Sequence, residues 1–186
     1  MYAGVNKGFS LLELLLVATI LGIVAIVAIP NLFSADPQKL EVAVQEAVMA
    51  LRYARNEARR TGLPHGVRFS STNHTISVFK LDLSTPPIDS TDEIPIYHPH
   101  DKKTYSIDIN TNNESSGLLI SQANFRFGGN TSSFAYVVFN NDGLPLRYLS
   151  NGTTTEIMDS GEVRLSQDGS EKILQVSSMT GRVKIL

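Results

Sequence analysis

The stretch Gly8-Phe9-Ser10-Leu11-Leu12-Glu13, followed by the apolar run from Leu14 to Ile29, decides how this chain is organised. No ionisable side chain occurs from Leu14 to Ala35. At 1.5 Å per residue, these roughly 22 positions form a helix of about 33 Å, enough to cross a hydrocarbon core of about 30 Å. A cleavable secretory signal has a shorter apolar core of about 7–15 residues. The pattern therefore favours a membrane-spanning helix over the alternative, a soluble periplasmic protein with a conventional signal.

Glu13 stands at the start of this apolar segment. A carboxylate inside a bilayer costs roughly 2.5–3.5 kcal/mol on insertion scales and usually has a partner. If the chain were cut after Gly8, the new α-amino group of Phe9 would lie four positions before Glu13. That amine can pair with the carboxylate within one chain or between chains packed side by side. The alternative is that Glu13 lies at the membrane edge, where water solvates it.

With Lys7 before them and Pro30 behind them, these residues resemble the signature of type IV prepilins, which type IV pilins share with the pseudopilins of type II secretion. The resemblance implies that residues 1–8 are a leader peptide, which a prepilin peptidase cuts between Gly8 and Phe9, and that Phe9 is then N-methylated. Residues 9–35 become the transmembrane and assembly helix, which contains Pro30. The resemblance further implies that Glu13 compensates the amine of Phe9 in an adjacent subunit during filament assembly.

Composition and charge bound the rest of the chain. It has 186 residues, a formal net charge of −2 and no cysteine. About 150 residues remain beyond the membrane segment, enough for one domain with its own core. The absence of cysteine excludes disulfides and thiol catalysis, and the charge gives no global nucleic-acid footprint. Because Lys7 precedes the apolar run, we expect a single pass through the bacterial inner membrane, with a cytoplasmic N-terminus and a periplasmic head.

A second helical pattern follows Asp36-Pro37. Pro30 predicts a kink or a locally melted turn, and Pro37 suits the first turn of a helix. Apolar residues then recur three and four apart along one stripe: Leu40, Val44, Ala47, Val48, Leu51, Ala54 and Ala58. Thr61-Gly62-Leu63-Pro64 ends the pattern. The sequence predicts a helix over about residues 9–60, with an apolar transmembrane half and an amphipathic half at 36–61 whose stripe needs a cover.

From Gly66 onward the apolar period changes to two, which is typical of strands. The expected strands are residues 67–69, 75–81, 104–109, 125–127, 134–139, 162–166, 172–176 and 182–185. Turn residues at 140–143 and 167–169 predict hairpins. Residues 84–103, 110–117 and 151–160 are expected to be loops. The predicted fold class is α+β, a long N-terminal helix packed on antiparallel β-sheets, with the β-rich head at 62–186.

The second helix and two later segments resemble the GspH/FimT family of minor pilins and pseudopilins. The matching segments are residues 50–58, Val138-Phe139-Asn140-Asn141-Asp142-Gly143 and Thr180-Gly181-Arg182-Val183. The resemblance implies a pilin-like fold and a structural subunit of a type IV pilus or a type II secretion pseudopilus. The implied partners are other pilins or pseudopilins in the filament, the prepilin peptidase, the assembly platform of the inner membrane and membrane lipid.

The C-terminal Gly181-Arg182-Val183-Lys184 supports an alternative function, a DNA-binding receptor at a pilus tip used in DNA uptake. In some FimT-like minor pilins a Gly-Arg-x-Arg element binds DNA, and Lys184 stands where the second arginine would be. Arg182 and Lys184 alternate along a strand and would project from one face, to which Arg164 or Lys172 would add. The competing interpretation is that both are the solvent side of a terminal strand.

Other polar clusters are weaker. His98-Pro99-His100-Asp101 offers ligand types that suit zinc, although exposed loop polarity explains it better. Asp108, Asn110 and Asn112 copy the first ligands of a calcium loop without its glycine and terminal glutamate. No nucleophile–base–acid set stands out, and Gly128-Gly129 lacks the pattern of a phosphate cradle. The sequence predicts no metal site, no cofactor and no enzymatic activity.

Overall fold

The computed structural model describes residues 10–32, 37–110 and 117–186. In that part of the chain the helices are α1 (Leu11–Leu32) and α2 (Pro37–Thr61). The strands are β1 (His65–Ser70), β2 (Thr75–Leu81), β3 (Glu93–Pro95), β4 (Ser106–Asp108), β5 (Leu118–Phe127), β6 (Ser133–Phe134), β7 (Tyr136–Phe139), β8 (Pro145–Tyr148), β9 (Thr155–Gln167), β10 (Ser170–Val176) and β11 (Val183–Ile185). The chain divides into two compact units, Met1–Ala35 and Asp36–Leu186.

The first unit contains α1. The helix continues through Pro30 to Leu32, so the locally melted turn expected at Pro30 is wrong, and the alternative, a kink, stays a prediction. Pro30 lies in the last turn, where its missing N–H removes one hydrogen bond near the helix end. Among the described residues, no helix combines the length and the hydropathy that crossing a membrane requires. The helix expected over residues 9–60 is described as two, and residues 33–36 lie outside the described part.

In the second unit, α2 is the amphipathic helix that the apolar stripe predicts. It begins at Pro37, and every residue of the predicted stripe is buried. Two further alanines, Ala43 and Ala50, are buried beside the stripe. Alanines at close spacing let the helix backbone approach the sheet, and α2 packs on β1, β2, β7, β9 and β10. Burying a leucine such as Leu51, which is fully enclosed, contributes about 1.5–3 kcal/mol.

The described strands form one antiparallel sheet. Its main order is β11-β10-β9-β8-β7-β1-β2-β3, with β4 pairing to β2, and β5 pairing to β9 and β6. The 13-residue β9 joins the two halves: its first residues pair with β8, and its later residues pair with β5 and β10. The predicted fold class, α+β with a helix packed on antiparallel strands, is confirmed.

Both faces of the sheet bury apolar side chains. Against α2 lies the main core, in which the largest fully buried side chains are phenylalanines: Phe69, Phe125, Phe127 and Phe139. A smaller core on the opposite face contains Phe79 and Val138, which the chain covers with Leu83 and Ile88. Leu83 and Ile88 lie on either side of Pro86-Pro87, so this part of the loop covers the second core.

The strand predictions succeeded where apolar alternation is clean. The bounds of β2 are those predicted, and the hairpin turns are confirmed at Asn140–Leu144 and at Asp168-Gly169, whose φ angles are +47° and +85°. The loop expected at 151–160 is wrong from Thr155 onward, because β9 starts there with polar side chains in solvent. Within 84–103, β3 is a short strand that the loop prediction missed. Of the loop expected at 110–117, residues 111–116 lie outside the described part.

β8 was not predicted, because Pro145 opens it and hides the apolar alternation. β5 and β9 extend well beyond the short apolar runs that predicted them. A β-bulge near Ser121 shifts the register of β5 against β9 and breaks the period of two in the sequence. A strand with one solvated face and a bulge carries a weaker sequence signal than its length would suggest.

Two glutamates of α2 have opposite pKa shifts. Burial raises the pKa of Glu46, whereas a hydrogen bond from Arg60 lowers the pKa of Glu57. The Nη2 atom of Arg60 lies 2.6 Å from Oε2 of Glu57. Because its pKa is raised, the charged carboxylate of Glu46 destabilises the folded state at pH values above that pKa. Glu46→Gln removes this charge and should therefore stabilise the fold at pH 7. A lowered pKa contributes stability above the unfolded-state value, so Glu57→Gln should destabilise it at pH 7.

We expect each change to be at most about 1 kcal/mol, because both side chains are partly solvated. Denaturant titrations of the full chain at several pH values check this. The Glu46 difference should disappear as the pH falls through its raised pKa to the usual value of 4.5, whereas the Glu57 difference should shrink only below that value. Effects of the same sign for the two variants at pH 7 would contradict the assignment.

Candidate functional site

The start of α1 positions the acidic residue that the sequence singled out. The carbonyl oxygen of Ser10 accepts the backbone N–H of Glu13 at 3.0 Å and that of Leu14 at 3.1 Å, which closes the first helical turn. Glu13 is exposed in this turn, where a carboxylate interacts favourably with the positive end of the helix dipole. The predicted processing residues, Gly8 and Phe9, lie outside the described residues.

From Leu11 to Val24, the side chains that α1 presents to its surroundings are apolar apart from Glu13 and Thr19. Glu13 is the one charged residue in the helix. Large apolar side chains from Leu11 to Val24 are about half exposed or more, with Leu11 at 84 %. A helix that is apolar all round is normally buried in protein or in lipid. The exposed apolar surface of α1 therefore indicates that lipid or another protein chain contacts this helix.

The C-terminal strand places Arg182 and Lys184 as the alternation predicts. Both side chains are exposed, while Val183 and Ile185 pack against the main core. A groove of about 600 Å³ runs beside the two cations, lined also by serines and by Asp159. The terminal strand therefore has a solvent side and a core side, and its solvent side carries two positive charges.

Neither of the further cations expected on this face adds to it. Arg164 forms ion pairs with Glu162 and, at 3.2 Å, with Glu171, so its charge is compensated. These carboxylates raise the pKa of Arg164. Lys172 lies on the opposite face of the sheet from Lys184. Lys184 pairs with Gln175, and Lys172 is three residues before Gln175 on β10, where side chains alternate between the two faces. The expectation is therefore wrong for Lys172, whereas Arg164 shares the face of Lys184 through Ile173 but adds no uncompensated charge to it.

The possible metal ligands are engaged in other contacts. Nδ1 of His98 lies 3.6 Å from Oδ1 of Asp101, and its ring packs edge-on against Tyr105 at 4.6 Å. Oδ1 of Asp108 accepts the backbone N–H of Asn110 at 2.8 Å, and residue 112 lies outside the described part. Within the described residues, no group of three His, Cys, Asp or Glu side chains is arranged to hold a metal ion.

Two arginines of α2 join Arg182 near the C-terminal turn, and sequence reasoning missed this. Nε of Arg55 donates to the carbonyl oxygen of Gly143 at 3.3 Å. A Cβ atom on Gly143 would lie 2.9 Å from Cδ of Arg59, and one on Gly181 would lie 3.2 Å from Cδ of Arg55. We call Arg55, Arg59 and Arg182 the arginine cluster. Basic residues crowding the end of α2 were visible in the sequence, but their convergence with Arg182 depends on the fold.

A family model described as Type II transport protein GspH matches residues 43–181, most of the second unit. The chain belongs to the GspH family. A second model, described as the prokaryotic N-terminal methylation motif, matches residues 5–29. GspH-family proteins are structural pilin or pseudopilin subunits, which assemble with other pilin subunits. The methylation motif and the family together imply membrane-anchored assembly for this GspH-family chain.

Two solved structures of pilin-like proteins are similar to this GspH-family chain. The minor pseudopilin EpsH from the type 2 secretion system of Vibrio cholerae is 14 % identical, with a TM-score of 0.49 over 80 % of this chain and 96 % of EpsH. The type IV minor pilin FimU of Pseudomonas aeruginosa is 15 % identical, with a TM-score of 0.48 over 82 % of this chain and 91 % of FimU. No curated protein matches the sequence.

Proposed function

We propose that the protein is a minor pilin or pseudopilin subunit that is built into a type IV pilus or a type II secretion pseudopilus. The observation that carries the proposal is α1, whose large apolar side chains from Leu11 to Val24 are exposed and whose single charge is Glu13. Lipid covers such a surface before assembly, and the helices of neighbouring subunits cover it afterwards. The methylation motif at residues 5–29 supports the same function.

In this proposal residues 9–35 anchor the precursor in the bacterial inner membrane by a single pass. Lys7 keeps the N-terminus in the cytoplasm, and the head lies in the periplasm. A prepilin peptidase cuts between Gly8 and Phe9 and methylates the new amine. The assembly platform of the membrane then adds the subunit to the filament. Pro30 lies in the last turn of α1, where it leaves the helix intact for packing.

Glu13 is proposed to pair with the amine of Phe9 in the adjacent subunit. We expect Glu13→Ala to lower incorporation into sheared filaments by at least about tenfold, because an amine left without its carboxylate in an apolar bundle is costly. The measurement is the ratio of filament-bound to membrane-bound full-length chain, by immunoblot, in a host with the matching peptidase and filament machinery.

Glu13→Asp, which keeps the carboxylate, should retain part of the incorporation. Thr19→Ala is the matched control, because it changes a polar residue of the same helix whose hydroxyl donates only to the carbonyl of Leu16. Mass spectrometry of the mature N-terminus tests the processing step and should find N-methylated Phe9. Normal incorporation of Glu13→Ala, or a mature chain that still begins at Met1, would overturn the proposal.

The alternative function, a DNA-binding receptor at a pilus tip, rests on Arg182 and Lys184. Their exposure on one face favours contact with phosphates. Against an extended phosphate track stand Glu162, which shares the face through Gln175, and Asp159 in the adjoining groove. The alternative requires binding that weakens with salt, because phosphate contacts release counterions.

A further inference from the structure

The arginine cluster is assembled by two turns that touch. The β7–β8 turn contains Gly143, and the β10–β11 turn ends at Gly181; both glycines have positive φ angles. A Cβ atom on Gly181 would lie 2.7 Å from the carbonyl oxygen of Gly143, so the two backbones are in direct contact. The carbonyl of Gly143 accepts Nε of Arg55, which fixes this side chain against the turns. The fold thus holds part of the cluster in a defined position.

The cluster has no counter-ion among the described residues. The ion pairs of that part of the chain involve Arg60, Arg68, Arg147, Arg164 and His98, and none includes a member of the cluster. Asp142 lies in the β7–β8 turn, but none of these ion pairs between described residues includes it. Burial, Arg59 and Arg182 lower the pKa of Arg55. The negative end of the α2 dipole offsets part of this repulsion, and an external anion would offset more of it.

Exposed apolar side chains flank the cluster on both turns. Leu144, next to Gly143, is 39 % exposed, and Met179, two residues before Gly181, is 76 % exposed. Arginine and methionine are enriched at protein–protein interfaces, where apolar contacts surround charge-assisted hydrogen bonds. Carboxylates suit guanidinium groups because the two form bidentate hydrogen bonds. This mixture fits a protein surface better than a nucleic acid.

We propose that the arginine cluster, with Leu144 and Met179, is a docking surface for a neighbouring filament subunit that presents carboxylates beside an apolar side chain. The proposal rests on the proposed function, because it takes the partner to be another subunit of the filament. Each carboxylate binds a guanidinium of the cluster, and an apolar side chain of the neighbour covers Met179. The contact gives the head a second link to the filament besides the apolar helix.

The test uses the full chain in filaments, with a photo-reactive residue introduced as Met179→p-benzoylphenylalanine. Illumination should cross-link it to another filament subunit, through a peptide rich in Asp or Glu. The double variant Arg59→Glu with Arg182→Glu should lower the cross-linked fraction by at least about tenfold, because it places carboxylates opposite carboxylates. The matched control, Arg52→Glu with Arg126→Glu, makes the same charge change at exposed arginines outside the cluster and should retain the cross-link.

Each outcome decides the proposal. Equal cross-linking in the cluster variant and the control, or no cross-link to a subunit although the wild-type chain is in filaments, overturns it. If the cluster variant instead loses salt-sensitive binding of the full chain to a labelled DNA duplex while the cross-link persists, the cluster serves DNA and the proposal is wrong. A wild-type chain missing from filaments marks the failure of the proposed function itself. Thermal melting of both double variants shows whether the head remains folded.

Discussion

Replacing Phe125 by alanine is expected to lower the free energy of unfolding by about 3–5 kcal/mol, the usual cost of emptying a phenylalanine site in a core. The ring of Phe125 is fully buried and stacks on that of Phe69 at 6.0 Å. It also covers Gly161 on the opposite strand, where a Cβ atom would lie 2.8 Å from its Cδ1. Because Gly161 has no side chain, it cannot fill the space that Phe125→Ala would leave.

Denaturant titration of the purified full chain in detergent measures this loss. Tyr97→Ala is the control, because Tyr97 is also aromatic but 67 % exposed, and it should change the free energy of unfolding by less than about 0.5 kcal/mol. Similar losses for the two variants would show that Phe125 is not part of a close-packed core.

Replacing Gly181 by alanine is expected to cost about 2–4 kcal/mol. The φ angle of Gly181 is +62°, and a side chain there costs roughly 1–2 kcal/mol in backbone strain. The added Cβ atom would lie 2.7 Å from the carbonyl oxygen of Gly143 and 2.9 Å from the ring of Phe139. Backbone cannot give way as a flexible side chain does, so relieving this clash requires the two turns to separate, at about 1–3 kcal/mol.

Gly129→Ala isolates the strain from the clash. The φ angle of Gly129 is +73°, and no atom lies within 4 Å of the Cβ position. Its loss, measured by the same titration, should therefore be limited to the strain of roughly 1–2 kcal/mol. If Gly129→Ala and Gly181→Ala destabilise equally, the two turns are not in contact.

Sequence patterns predicted the elements that are determined by residues close together in the chain. The stripe on α2 was readable because a helix repeats every 3.6 residues and every stripe position is buried. The turn at Asp168-Gly169 was readable because few residues tolerate positive φ. β8 and the first residues of β9 were not readable although they pair with strands close in the chain, since Pro145 opens β8 and β9 begins with the exposed Thr155.

Some residues of the candidate site could likewise be identified from the sequence, and others could not. The motif around Glu13 is contiguous, so its residues were identified from sequence, and the family match at residues 5–29 agrees with it. Arg182 was identified from a short segment, but its association with Arg55 and Arg59 was not, since it requires α2 and the turns at residues 143 and 181 to meet. Charge compensation of Arg164 by Glu162 and Glu171 likewise depends on neighbouring strands.

The strand β9 contributes backbone hydrogen bonds to both halves of the sheet, to β8 at its first residues and to β5 and β10 at its later residues. Separating the two halves by heat or by force therefore requires that hydrogen bonds of this shared strand break. We therefore expect the head to unfold cooperatively, in a single transition, with no gradual fraying from one side.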